Sequence, residues 1–342
     1  MLKDYAPVSL YRIPTSRILR AAYPVIDVHS HPSFAKSRDE IKDWVAQMDQ
    51  AGIERTILLT GVTGEAFDRI VEAYAEFADR FELWCGFDYT GSDQPDYGPA
   101  AVAELERCYR RGARGVGEES DKGQGLTRPI PGRPRAKADY LHMNDSRMDP
   151  LLEKCAELGM PVNLHVADPI WMYQPMDGRN EGMINAYLWR LDQKKDLVDL
   201  NGMIDILAAT LQRHPRTTFI ACHLANLDYD LARLGALLDR HPNLYADISA
   251  RFAETATIPR VAAAFFERYQ DRLLYGSDME FTPEMYQMTF RILESSDDHF
   301  YGVEQFSYLW NLYGLGLSPG TLRKIYGENA RQLLHKGRSP GR

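Results

Sequence analysis

Cysteine is scarce: the 342 residues contain four, Cys85, Cys108, Cys155 and Cys222. They show no CxxC spacing, which argues against a structural zinc site built on thiolates or a dithiol redox motif. They read as buried reduced thiols, in keeping with a cytoplasmic setting. No run approaches the roughly 18 consecutive apolar residues of a membrane span, so no membrane partner is expected. Met1 to Tyr23 mixes Lys3, Asp4, Arg12, Arg17 and Arg20 with proline and serine, and lacks the apolar core of a secretory signal. It is expected to be an extension, residues 1–23, packing on a domain that occupies 24–342. A basic surplus is also missing. Lys and Arg number 40 against 48 Asp and Glu, a formal net charge of -8. That leaves no concentrated basic groove of the kind nucleic acid needs, so a nucleic-acid partner is not expected. Neither GxGxxG nor a P-loop follows any strand-like run, which weighs against a nucleotide-binding sheet. Internal repeats and low-complexity tracts are absent too.

What remains is an ordinary globular composition, 44% apolar and 26% charged. Eight short apolar runs carry the pattern. They are Pro24–His29, Thr56–Thr60, Phe81–Phe87, Ala113–Glu118, Pro161–Val166, Thr217–His223, Leu244–Ser249 and Arg272–Asp278. Near-continuous apolarity suits strands buried on both faces of a parallel sheet. Helical periodicity lies between them: Ile41, Trp44, Val45 and Met48 share one face, as do Phe67, Ile70, Val71 and Tyr74. Leu151, Leu152, Cys155 and Leu158 form another set, followed by Ile204, Leu207 and Leu211 and by the leucines at 231, 234, 237 and 238. Gly52, Gly112 and Gly159 stand at C′ positions. Alternation repeated eight times predicts an α/β fold, a TIM-like (β/α)8 barrel, with a final helix pair around Ser318–Ile325 and Glu328–Leu334 under or beside it. Two connections are long, Ser120–Asp149 after strand 4 and Ala167–Asn201 after strand 5. Both leave the catalytic end of a barrel and are read as lids or specificity loops. The second is expected to hold a helix near Ile184–Leu191.

Polar residues fall at the strand ends. His29 and His31 close the first run in Asp-Val-His-Ser-His, and period-2 alternation turns both to one side, with Asp27. His165 ends the fifth run, His223 the sixth and Asp278 the eighth. A barrel brings these ends around one mouth, and converging imidazoles suit a divalent transition metal such as zinc. Glu118 ends the fourth run in Gly-Val-Gly-Glu-Glu. For substrate contacts, Arg251 lies just past the seventh run, Arg128, Arg133 and Arg135 in the first long loop, and Trp171 and Tyr173 in the second. A guanidinium there could hold a carboxylate or phosphate, and the rings could wall a pocket.

The pieces Val-Ile-Asp-Val-His-Ser-His, Asn-Leu-His-Val, Ala-Cys-His-Leu-Ala, Tyr-Gly-Ser-Asp and Gly-Glu-Asn-Ala-Arg-Gln-Leu-Leu together resemble the amidohydrolase superfamily, most of all its amidohydrolase-2 branch. The resemblance runs from about Pro24 to Leu334. It implies a distorted barrel with one or two metal ions, zinc first and manganese or another transition metal as the alternative. It also implies that His29, His31, His165 and Asp278 are ligands. Asp278 and His223 would be catalytic, and His223 either a second-site ligand or a free acid/base. Many two-metal members carry a carboxylated lysine where this chain has Glu118. A glutamate can bridge two metals instead, in an arrangement that TatD-type deoxyribonucleases resemble.

The first expectation for activity is metal-assisted hydrolysis of a small amide, ester or lactone. Asp278 would take a proton from the attacking water and His223 would support the oxyanion. The alternative is non-oxidative decarboxylation of an unsaturated or aromatic acid, favoured by one metal and a carboxylate-binding arginine. A phosphoesterase and a metal-binding barrel without activity rank below both. A small-molecule substrate is expected, and a homo-oligomer is compatible with the sequence.

Overall fold

The computed structural model describes residues 5–94, 97–126, 141–194 and 196–336. All eight apolar runs contain strands: β1 (Val25–Ser30), β2 (Ile53–Leu59), β3 (Phe81–Trp84), β4 (Val116–Asp121), β5 (Val162–Val166), β6 (Phe219–Ala221), β7 (Leu244–Asp247) and β8 (Leu273–Leu274). They pair in chain order, β1 to β3 and β4 to β8, and every pairing is parallel. Backbone contacts join the two groups at both seams. Cys85 bridges Val116 in parallel, and Gly117 N donates to Cys85 O at 2.8 Å. On the far side Val28 N donates to Tyr275 O at 2.9 Å, and Asp278 N to His29 O at 2.8 Å. This is the expected α/β barrel.

The helices lie where the apolar periodicity placed them. Arg38–Ala51 starts at Ser37, whose side chain accepts from Glu40 N, and buries Ile41, Trp44 and Met48. It stops at Gly52, where φ is 86°; Gly112 (118°) and Gly159 (65°) end Pro99–Arg111 and Asp149–Leu158 in the same left-handed way. The C-terminal pair is in fact one continuous run. Pro319–Arg323 passes through a π-turn at Lys324–Glu328 into Asn329–Lys336. Ala330 and Leu333 of that run pack with Ile26, Val28, Ile57, Leu59, Trp84, Ile220 and Leu274 in one buried cluster. These side chains come from strands on both sides of the ring and fill its interior away from the strand ends that carry the histidines.

Three strands carry an extra residue: β2 between Ile53 and Arg55, and two others nearer the strand ends that hold the histidines. Asp27 pairs with Thr56 but Ser30 with Leu58, so three steps along β1 match two along β2. Likewise Val116 pairs with Val162 but Glu119 with Leu164. Such bulges re-aim side chains, and these last two lie at the mouth of the barrel.

The second long loop holds a helical turn, Met183–Ala186, continued by Tyr187–Trp189, shorter than the periodicity suggested. Ile184, Tyr187, Leu188 and Trp189 are exposed there, while Trp171, Met172 and Leu191 are buried. In the first long loop Asp121 accepts from Gly123 N and Gly125 N and lies 2.6 Å from His142 Nδ1. Arg128, Arg133 and Arg135 lie outside the described residues. The N-terminal segment has no regular structure from Tyr5 to Leu19. It touches the rest through Ser16, whose N and Oγ donate to Asp297 at 2.8 and 2.7 Å.

Candidate metal centre

The strand ends converge as expected. His29 is fully buried at the end of β1, and its Nδ1 lies 3.0 Å from Asp247 Oδ2. His31 Nδ1 donates to Leu59 O at 2.9 Å, and His223 Nδ1 donates to Ser249 O at 2.9 Å. Each of these rings spends Nδ1 on an anchor and turns Nε2 inward, the orientation that ligand histidines use. His29 Nε2 is 3.6 Å from Asp278 Oδ1 and 3.9 Å from Glu118 Oε1. His31 Nε2 is 3.1 Å from Asp278 Oδ1 and 3.6 Å from Glu118 Oε2. His223 Nε2 is 3.5 Å from Glu118 Oε1 and 3.6 Å from Asp278 Oδ2. His165 stands differently. Its Nδ1 lies 2.6 Å from Glu118 Oε1 and its Nε2 3.4 Å from Asp168 Oδ1. The ring meets His223 edge-on at 4.6 Å.

Backbone conformation helps to hold this geometry. His223, Leu224, Ala225 and Asn226 have φ of 57°, 54°, 55° and 54°, and Ala167, Ala250 and Asp278 are also left-handed, at 62°, 50° and 51°. Side chains other than glycine rarely adopt this region, and here it clusters at the ends of β5 to β8. Gly276 permits a close approach: a Cβ there would stand 2.7 Å from His29 Cβ.

The residues present fit a cation. His29, His31 and Asp278 offer ligand atoms that all lie within 4.8 Å of one another, and so do His29, Glu118, Cys222 and His223. The Nε2 atom of His29 is buried without a hydrogen-bond partner. The electrostatics point the same way. Burial works against a charged His29, but Asp247, Asp278 and Glu118 outweigh it and carry the ring up to about 10. Burial would likewise raise Glu118, yet His165, His223 and His29 hold it well below the usual carboxylate range. Asp278 is lowered by His29, His31 and His223 against its own burial. Burial prevails at His223 and lowers it. Two ionised carboxylates among inward-facing imidazoles make a site that favours positive charge.

Several partners had no clear signal in the sequence. Asp247 takes hydrogen bonds from His223 N (3.0 Å) and Asn163 Nδ2 (3.3 Å) besides holding His29. Asp168 joins His165 to Lys122, whose Nζ is 2.8 Å away. The bulge in β1 overrides simple alternation at Asp27. That carboxylate accepts from Ser277 N and Oγ, at 2.9 and 2.6 Å, and from His29 N, tying β1 to the segment after β8 rather than orienting the His29 ring. In β4 the two adjacent glutamates face opposite ways, as neighbours in a strand do. Glu118 faces the histidines, while Glu119 accepts from Phe87 N at 3.0 Å and lies 2.5 Å from Tyr89 Oη.

Of the substrate candidates, Tyr173 has its hydroxyl accepting from Asp168 N at 3.2 Å. Trp171 is buried against Tyr308 and Trp310. Arg251 is buried as well, hydrogen-bonded to Asn226 Oδ1 and Ala250 O and 3.5 Å from both Asp228 and Glu254. Asn226 in turn donates to Val166 O at 2.9 Å, so Arg251 braces the ends of β5, β6 and β7. Among the described residues, neither Arg251 nor Trp171 makes a hydrogen bond or ion pair to the histidine cluster. A cavity of about 630 Å³ opens beside Asp278, with Phe34, Met279, Thr282 and Met285 in its wall.

A family model described as amidohydrolase matches residues 26–336. The chain belongs to the amidohydrolase family. No curated protein matches this amidohydrolase. Solved structures of the same fold do. The 2,6-dihydroxybenzoate decarboxylase from Rhizobium is 20% identical with a TM-score of 0.56, over 91% of this chain and 98% of that one. The 5-carboxyvanillate decarboxylase from Novosphingobium aromaticivorans, complexed with manganese and 4-hydroxy-3-methoxy-5-nitrobenzoic acid, is 15% identical with a TM-score of 0.56, over 94% and 99%. An uncharacterized TIM-barrel protein from Bordetella bronchiseptica is 15% identical with a TM-score of 0.54, over 92% and 99%.

Proposed function

We propose that this amidohydrolase-family protein is a cation-dependent decarboxylase of a small unsaturated or aromatic acid. Hydrolysis, the first expectation from the sequence, becomes the second reading. The observation that carries the proposal is the set of three imidazoles presenting Nε2, with two carboxylates, at the mouth of the barrel. The whole-length fold likeness to two aromatic-acid decarboxylases supports the same reading.

His29, His31 and Asp278 would hold a divalent cation, with zinc or manganese the leading choices; His165, the fourth ligand expected from the sequence, directs its nitrogens at Glu118 and Asp168. When bound, it would act as a Lewis acid that holds the substrate and stabilises the negative charge that develops on the remaining framework as CO2 leaves. The protein's own work is to position and to move one proton. Asp247 and Leu59 O keep His29 and His31 turned inward. As the bond to the carboxyl group breaks, CO2 leaves and the electron pair remains on carbon, which must gain a proton. His223 Nε2, 3.6 Å from Asp278 Oδ2, would take that proton from solvent and pass it to the carbon, with Asp278 holding the charged ring in place.

The hydrolytic reading keeps one specific support. Glu118 lies within 4.0 Å of all four histidines, where a carboxylate could bridge two cations. In that case Asp278 would take a proton from the attacking water. The test is to count bound metal and to assay, side by side, CO2 release from hydroxybenzoates and hydrolysis of lactones and amides. CO2 release that is lost in Asp278→Asn supports decarboxylation. Turnover of lactones or amides without CO2 release from any acid overturns it.

A further inference from the structure

Cys222 immediately precedes His223 and is fully buried at the end of β6. Its thiol donates to Asn163 Oδ1 at 2.7 Å. Its sulfur also falls among ligand atoms of His29, Glu118 and His223, all within 4.8 Å of one another. A second group, His29 with His31 and Asp278, meets the same criterion without sulfur. The two groups share His29. That ring has one nitrogen to give, because Nδ1 is held by Asp247 and only Nε2, buried and without a partner, faces inward. One imidazole nitrogen binds one cation, so the two groups are alternatives for His29 rather than independent sites.

Their donor chemistry differs. Imidazole with carboxylate accepts hard and borderline cations alike, manganese included, whereas a thiolate selects zinc-like, thiophilic ions. We propose that the centre has two overlapping cation positions sharing His29, and that Cys222 ligates a thiophilic divalent cation in the one it forms with Glu118 and His223. A hard cation would occupy the His29, His31 and Asp278 position instead. Binding at sulfur releases the thiol proton to solvent as the bond to the cation forms. This rests on the reading that a divalent cation binds here at all.

The test loads metal-free full-length protein with cobalt(II) and, separately, with manganese(II), and counts bound metal by elemental analysis. The cobalt form is expected to show a thiolate-to-cobalt charge-transfer band in the near ultraviolet. Cys222→Ser should remove that band and weaken cobalt binding more than about tenfold, while manganese binding stays within about twofold of wild type. Cys222→Ala provides a second variant should the serine fail to fold, and the wild-type band needs no variant to be observed. Bound cobalt without the band, or a band that survives loss of Cys222, overturns the proposal and leaves the cation centre standing. If wild type binds neither cobalt nor manganese, the cation centre falls and the proposal with it.

Discussion

Asp247 shows how much of the centre depends on residues that never face the substrate. It fixes the His29 ring, caps His223 N and lies 2.5 Å from Ser249 Oγ. Asp247→Ala is therefore expected to weaken divalent-metal binding by about 10–100-fold, measured by calorimetric titration, with the barrel still folded. Gly276 acts through space rather than charge. Alanine there would put Cβ 2.7 Å from His29 Cβ and 3.2 Å from Ser249 Cβ. Forcing those atoms apart should cost about 1–3 kcal/mol in denaturant unfolding and also impair metal binding. Glu254 sets a pH dependence. Burial pushes its carboxyl from 4.5 up to about 7, with Arg251 pulling the other way. The folded state then binds this proton more tightly than the unfolded chain does. Its contribution to stability is fully present below 4.5 and is lost as pH rises through about 7. Glu254→Gln should flatten that part of the stability profile, read from urea midpoints across the range.

The decisive elements are the bulged strands β1 and β4 and the C-terminal run. Without its extra residue, β1 would keep Asp27 and His29 on one side, as alternation implies. With it, Asp27 stays in register with Thr56, whose hydroxyl faces Met48 of Arg38–Ala51, and is free to clamp Ser277. In β4 the extra residue lies between Val116 and Glu119, the stretch that holds Glu118. The helix Asn329–Lys336 contributes to the other end. Leu333 is buried in the cluster that fills the ring with Trp84 and Ile220. Leu333→Ala should destabilise the protein by about 2–5 kcal/mol through the cavity it leaves, with metal affinity little changed. Equal loss of both would mean that the filling of the barrel and the metal centre are not separable.

At the scale of the molecule, the centre joins strands from both halves of the ring: His29 lies in β1 and His31 just past it, Glu118 lies in β4, and Asp278 lies past β8. A cation held there binds the folded state and not the extended chain. Chelation should lower the melting temperature. Re-addition at about 100 times the dissociation constant should restore about 2.7 kcal/mol, seen as a midpoint that climbs with metal concentration. A midpoint independent of added metal would separate metal binding from stability. Among the described residues no helix is long and apolar enough to cross a membrane.

The amino-acid sequence by itself determined the alternation of eight strands with helices, the glycine stops at 52, 112 and 159, and the strand-end placement of His29, His31, His165, His223 and Asp278. These are local properties: periodicity, left-handed caps and polar residues closing apolar runs are each written within about a dozen neighbours. Tertiary structure alone decided that Asp27 braces rather than orients, that Arg251 is committed to Asn226, and that Asp247 and Cys222 lie beside the histidines. Each of those depends on register between strands distant in the chain, and one extra residue in a strand is enough to turn a side chain to the other face.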